Sequence, residues 1–105
     1  MNRYPSDDEL AAIRSHDRYG YDGYTEWLEY VRSIYNWPDR QVQGPTRITD
    51  DPHERQEYDS WDISTGGWSG NEEIMQAMRE NFICWSQTWY SHHRGGHYEF
   101  RVRVP

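Results

Sequence analysis

The chain has 105 residues and a formal net charge of −7, and it contains six Trp and nine Tyr but only two Leu. This length fits one domain, residues 1–105, and because each aromatic side chain can bury roughly 150–250 Å², rings can build its core. The acidic charge excludes unassisted binding to duplex nucleic acid. The lack of an 18-residue apolar run argues against a membrane-spanning helix. The single cysteine excludes an internal disulfide and favours a reducing, cytoplasmic setting.

Two helices are predicted in the first third of the chain. Ser6 and Glu9 match a capping box, which predicts a helix from there to about residue 15. Pro38 ends the second helix and biases Trp37 toward an extended backbone. The second helix is indicated by apolar residues that recur at helical spacing and form one stripe: Tyr24, Trp27, Leu28, Val31, Ile34 and Tyr35.

Residues 38–56 contain few apolar anchors and are predicted to form a long loop, either mobile or functional. Its acidic residues are candidate binding residues: Asp50, Asp51 and Glu54. Residues 58–65 then alternate apolar and polar side chains, which predicts a strand.

A glycine-rich loop that contains Trp68 leads into a third predicted helix. Ser69 with Glu72 matches another capping box, with Asn71 as the alternative cap, and Asn81 is suited to a left-handed helix end. The buried face of this helix is predicted to be formed by Ile74, Met75 and Met78, with Phe82 as an extension.

Residues 82–91 suit either a continued helix or a strand, and their aromatic and β-branched content favours the strand. Residues 97–104 alternate strictly, and the glycines before them supply the turn of a β-hairpin. Trp85 and Trp89 are expected in the core. The sequence therefore predicts an α+β fold, in which two N-terminal helices and a third helix pack on a small, mainly antiparallel, three-stranded sheet that ends in this hairpin.

Two blocks of the chain, residues 62–73 (DISTGGWSGNEE) and 94–100 (RGGHYEF), resemble blocks in small bacteriophage-encoded proteins of unknown function. The resemblance covers residues 58–104. It implies a phage origin, and with the reducing setting that the single cysteine favours, we expect the protein in the cytoplasm of the host cell. It implies no activity, because that family has no assigned catalytic residues.

No motif for catalysis, metal binding or a cofactor is recognised. The spacing of His92, His93 and His97 matches no established zinc pattern. Cys84 lies in an apolar stretch, where burial would raise its pKa and make it inert. The glycine-rich loop is a poor phosphate site, because two glutamates occupy the first helical turn that follows. We therefore expect a protein that is not an enzyme and that needs neither a metal nor a cofactor.

Charge and aromatic content predict binding. Residues 1–70 hold fourteen acids and seven Arg, whereas residues 71–105 hold four of each. The natural complement is a basic surface on a host protein, which could be one that normally binds nucleic acid. The alternative is a small ligand or nucleotide on an aromatic and Arg surface of the hairpin. Beyond the acids named above, the candidate binding residues are Trp68, Arg94, His97, Arg101 and Arg103. Arg101 and Arg103 are expected to be exposed.

Overall fold

The computed structural model describes residues 3–51 and 56–105, and for residues 50 and 51 it describes the backbone alone. The α+β class is confirmed, but these ranges contain five helices and four strands where three of each were predicted. The elements follow in the order α1 (Asp7–Ser15), α2 (Gly20–Ile34), α3 (Pro38–Gln41), β1 (Val42–Asp51), β2 (Gln56–Ser64), α4 (Ser69–Glu80), α5 (Phe82–Thr88), β3 (Trp89–His93) and β4 (His97–Arg103).

The four strands form one antiparallel sheet in the order β1-β2-β4-β3. The predicted alternation of β4 is confirmed, since Tyr98, Phe100 and Val102 are buried against the helices. Trp61 of β2 pairs with Phe100 and is also fully buried, so the centre of the sheet and the helices share one core. The predicted hairpin is confirmed as β3 and β4.

The predicted stripe on α2 is confirmed. Trp27, Leu28 and Val31 are fully buried, and the indole N–H of Trp27 donates to the carbonyl of Ile13 on α1 at 3.1 Å. The capping box at the start of α1 is also confirmed, with both of its hydrogen bonds present. Helical periodicity and local capping were therefore sufficient to predict these two elements.

Helices α1 and α4 run side by side in the same direction. Arg14 and Glu80 form an ion pair at their C-terminal ends, with a distance of 3.0 Å between Nε and Oε1. At their N-terminal ends, Gly70 approaches the carbonyl of Arg3 so closely that a Cβ would lie 2.3 Å from that oxygen. Both helices therefore begin at the same end of the molecule.

The predicted loop over residues 38–56 is wrong. The segment forms α3 and then β1, which pairs with β2 from Val42 onward, and only residues 52–55 of the predicted loop lie outside the described residues. Most β1 side chains of known burial are exposed, so the strand is polar and lacks the alternation by which strands are recognised. The extended backbone predicted for Trp37 is also wrong, because its φ and ψ are 57° and 52°, in the left-handed region.

The predicted strand over residues 82–91 is wrong for its first part, which is α5, and right for its end, which is β3. Asn81 separates α4 from α5, and its side chain accepts from the Cys84 N–H at 3.2 Å. Its φ of −85° shows that α4 ends there without the predicted left-handed residue. Trp85 packs against the core, but Trp89 is 43% exposed, so the expectation that it is buried is wrong.

The start of α4 differs from the predicted capping box. Trp68 precedes the first helical residue, no side chain caps the helix, and Asn71 is fully buried rather than serving as a cap. The buried face predicted from Ile74, Met75 and Met78 is confirmed, whereas Phe82 is 79% exposed. No helix in the two described ranges is long and apolar enough to cross a membrane.

Candidate binding surface

Two tryptophans meet where α2 ends and α4 begins. Trp37 lies at the N-cap of α3 and Trp68 at the N-cap of α4. Their ring centroids are 6.3 Å apart and the ring planes are tilted by 34°. Trp37 is 42% exposed, and Trp68 is partly exposed. Trp37 and Trp68 are called the tryptophan pair below.

The backbone of Trp37 is strained. A left-handed conformation in a bulky residue is a rare arrangement that costs on the order of 1–3 kcal/mol. The first turn of α3 holds it, because the N–H groups of Arg40 and Gln41 both donate to the Trp37 carbonyl, at 3.0 and 2.9 Å. A large apolar ring is thus kept partly in solvent by a backbone that a smaller residue would adopt more easily.

A buried amide network fixes the segments that carry the pair. The side chain of Asn71 accepts from the Asn36 N–H at 2.8 Å and donates to the carbonyls of Asn36 and Thr65, at 3.1 and 3.3 Å. Asn36, in turn, exchanges two hydrogen bonds of 2.7 Å with the backbone of Arg3. The residue before Trp37 and the loop before Trp68 are therefore joined into one rigid unit.

Charges of both signs surround the pair. The N–H of Glu72 donates to the Trp68 carbonyl, so Glu72 follows Trp68 by one helical turn, and Asp39 lines the cleft beside Trp37 together with Arg3 and Arg40. Arg40 is the opposing charge beside the pair, since Arg3 is paired with Glu9. Exposed carboxylates at this end that form no ion pair with a described residue are Asp7, Asp8, Asp39, Glu72 and Glu73.

The structure distributes the predicted hairpin residues over different sites. Arg94 and His97 are exposed at the turn between β3 and β4, and Arg103 is exposed at the other end of β4. Arg101 was expected to be exposed, but its guanidinium lies 3.5 Å from the ring centre of Tyr90 and its Nε donates to Glu99 at 2.8 Å, so only 16% of its side chain is exposed. Arg101, Tyr90 and Trp89 form an aromatic and Arg patch on the hairpin, whereas Arg94, His97 and Arg103 do not join it and Trp68 lies with Trp37.

The three acids predicted in the long loop fall where side chains are not described. Asp50 and Asp51 belong to β1, of which the backbone is described at these positions. Glu54 lies outside the described residues. Exposed acids with described side chains include those near the tryptophan pair, and others lie elsewhere, such as Asp17, Asp22 and Asp62.

Arg103 borders a cleft of ≈ 570 Å³ between the start of α2 and the end of β4. Tyr21 and Tyr24 line its wall. The hydroxyl of Tyr21 donates to Asp59 at 2.5 Å, and Arg47 donates to the other oxygen of that carboxylate at 2.6 Å. Burial alone would raise the pKa of Asp59, but these hydrogen bonds outweigh it and hold the pKa below its usual value. Asp59 is thus an ionised, fully partnered group that fixes one wall of the cleft.

In the part of the chain that the structure describes, Cys84, His92 and His93 are each buried or held by a neighbouring side chain. Burial raises the pKa of Cys84 to about 11, so its thiol is protonated at neutral pH. His92 stacks on Tyr98 with 4.2 Å between ring centroids, and His93 hydrogen-bonds to Ser91 at 3.1 Å. Among residues 3–51 and 56–105, no three His, Cys, Asp or Glu side chains are grouped to hold a metal ion.

Sequence reasoning identified Trp68 but missed Trp37. The signal that could have found Trp37 is its position directly before a helix-starting proline and directly after an asparagine, which marks an irregular helix end. Comparison with known proteins gives no match: no family model fits the chain, and no curated protein or solved structure is similar to it. The candidate surface is therefore defined by its own geometry, a partly exposed tryptophan pair on a hydrogen-bonded scaffold, near exposed carboxylates that form no ion pair with a described residue.

Proposed function

We propose that this chain is a non-enzymatic, acidic binding protein that engages a basic surface on a partner protein. The observation that carries the proposal is the tryptophan pair together with the exposed carboxylates around it, at one end of the molecule. Tryptophan dominates the binding energy of many interfaces, and unpaired charges steer the approach of an oppositely charged partner. The carboxylates would speed the approach of the partner, and the tryptophans would hold the complex once it has formed.

The resemblance to phage proteins extends the proposal to the setting. We propose a phage-encoded protein that acts in the cytoplasm of the host cell on a host protein. Host proteins that bind nucleic acid carry basic surfaces of the required sign, and an acidic protein competes with nucleic acid for them. Support for a non-enzymatic role comes from Asp59 and Cys84, whose shifted pKa values have structural causes and whose polar atoms are hydrogen-bonded.

The test begins with affinity capture of partners from host lysate at moderate salt, followed by binding kinetics on the purified partner. We expect the association rate to fall steeply with salt while dissociation changes little. Glu72→Gln and Asp39→Asn should slow association. Capture of no host protein, or an association rate that is independent of salt, would contradict the proposal.

Asp22→Asn is the matched control, because it removes the same charge from an exposed position at the opposite end of α2. The 15 residues of α2 place it roughly 20 Å from the tryptophan pair, which is beyond the screening length of about 8 Å at physiological salt. If Asp22→Asn slows association as much as Asp39→Asn does, the interaction depends on net charge and not on this surface.

A second candidate function is the binding of a small ligand or nucleotide, which the cleft beside Arg103 favours. Its ≈ 570 Å³ fall within the usual range of small-molecule sites, and its wall combines two tyrosine rings with one exposed guanidinium. Titration with adenosine monophosphate, followed by NMR, tests it. Saturable shifts that disappear in Arg103→Gln would favour this function over the first.

A further inference from the structure

We infer that the tryptophan pair is a receptor site for one arginine side chain of the partner, whose guanidinium stacks on the exposed indole of Trp37. The inference rests on the proposed function and names the chemical group that this surface recognises. It is carried by three observations: rings over which no described cation lies, a preformed scaffold, and the carboxylate of Asp39 in the cleft beside Trp37.

Elsewhere in the molecule, two rings that are not buried already carry an arginine. The guanidinium of Arg79 lies 5.6 Å from the ring centre of Trp85, and that of Arg101 lies 3.5 Å from the ring centre of Tyr90. Among the described residues, no guanidinium lies over either ring of the tryptophan pair, although Arg3 and Arg40 line the cleft beside Trp37. An arginine from outside the chain would complete the same arrangement.

The scaffold of the pair is formed in advance. The amide network of Asn36 and Asn71 is buried, and α3 holds the left-handed backbone of Trp37. A binding site that is rigid before binding loses little conformational entropy when the ligand arrives. The strain at Trp37 is consistent with a ring that is kept out of the core for contact with a ligand.

Local charge and shape select arginine. Asp39 lines a cleft of ≈ 480 Å³ beside Trp37, together with Arg40 and with Arg3, whose charge is met by Glu9, and this cleft has room for the aliphatic part of a long side chain. A guanidinium is flat and weakly hydrated, so it stacks on an indole and pairs with a carboxylate more readily than the ammonium of lysine does. Arg40 opposes a cation at this site, so its removal is expected to strengthen binding.

The test uses a short glycine and serine peptide that contains arginine, with NMR of the indole N–H groups as the readout. We expect saturable shifts of both indoles of the pair. The same peptide with citrulline, which has the shape of arginine without its charge, should produce none, and the lysine peptide should bind more weakly. Arg40→Gln should tighten binding of the arginine peptide.

Trp37→Gly removes the ring and keeps the backbone, because glycine adopts the left-handed conformation without strain. We expect it and Trp68→Leu each to weaken the arginine peptide about two- to fivefold, as a partly exposed cation–π contact would. Trp89→Leu is the matched control, since Trp89 is 43% exposed and Trp37 is 42% exposed, and it should bind as the original chain does. Unfolding midpoints measured alongside confirm that each variant is folded.

The outcomes separate this inference from the function on which it rests. If the arginine peptide binds folded Trp37→Gly and Trp68→Leu unchanged, or if the citrulline peptide binds equally well, the inference is wrong. If binding then still falls with salt and with Asp39→Asn, the acidic surface engages cations without the rings and the proposed function stands. If neither salt nor Asp39→Asn changes the binding of the peptide, both the inference and the proposed function are wrong.

Discussion

Asn71 is the side chain on which the tryptophan pair most depends. Asn71→Ala would leave the N–H and the carbonyl of Asn36 unpaired, while the carbonyl of Thr65 would still accept from the Trp68 N–H. Each buried group left unpaired costs about 1–3 kcal/mol, so we expect the free energy of unfolding to fall by at least about 2 kcal/mol. Denaturant unfolding measures the loss. Gln76→Ala, at an exposed position of the same helix, should change the free energy of unfolding by less than about 0.5 kcal/mol. Equal losses in the two variants would show that the amide network contributes nothing to stability.

The stability of the protein is expected to depend on pH through the buried thiol of Cys84. Because its pKa is raised to about 11 in the folded protein, the neutral thiol is favoured by folding, and this contribution is complete below the unfolded pKa near 9. It is then lost as the pH rises from about 9 to 11. We expect the original chain to lose more stability than Cys84→Ala over this range. Native protein should also react with iodoacetamide far more slowly than unfolded protein, and equal rates would contradict the burial of the thiol.

At the residue scale, local chemistry could be read from the sequence and tertiary partners could not. The capping box of Ser6 and Glu9 involves residues of one turn, and it is present as predicted. Asn71 has the chemistry of a cap, but it is fully buried because Asn36, far away in the chain, supplies its partners. The same network, together with α3, explains why Trp37 departs from the extended backbone that Pro38 favours.

At the element scale, the apolar stripe of α2 is the main support of the helical layer. Leu28 is fully buried, and Leu28→Ala is expected to cost about 2–5 kcal/mol through the cavity that it leaves. Phe82→Ala removes a larger side chain, yet Phe82 is 79% exposed in the first turn of α5, so its loss should cost less than about 0.5 kcal/mol. Denaturant unfolding of both variants tests these two expectations. A larger loss in Phe82→Ala than in Leu28→Ala would contradict the packing.

The elements with a regular hydrophobic period could be predicted from the sequence. The elements defined by pairing with another segment could not. The helical spacing in α2 and the strict alternation in β4 appear in the structure as expected. β1 is a polar edge strand that is defined by its register with β2, and a sequence pattern carries no record of such a partner. α5 has the composition of a strand, but Asn81 starts it as a helix by accepting from the Cys84 N–H.

For the whole molecule, the apolar core should suffice without a metal ion. The core cluster spans both helical and strand residues, from Ile13 of α1 to Val102 of β4. We therefore expect the same thermal unfolding midpoint with and without EDTA. A large fall on chelation would contradict this and would direct attention to His92, His93 and His97.

The strand order has a consequence for how the sheet can be completed. β4 lies between β2 and β3 but follows both in the chain, so the sheet stays divided until residues 97–103 are available. While the chain is being synthesised, the inner edges of β2 and β3 have unpaired N–H and carbonyl groups that can pair with other chains. We expect ribosome-bound chains halted before residue 97 to be cleaved by protease at the sheet, and chains that expose residue 103 to be protected. Resistance in the shorter chains would show that the helices alone hold the strands in place. We therefore expect a delay in adding β4 to leave nascent chains open to aggregation.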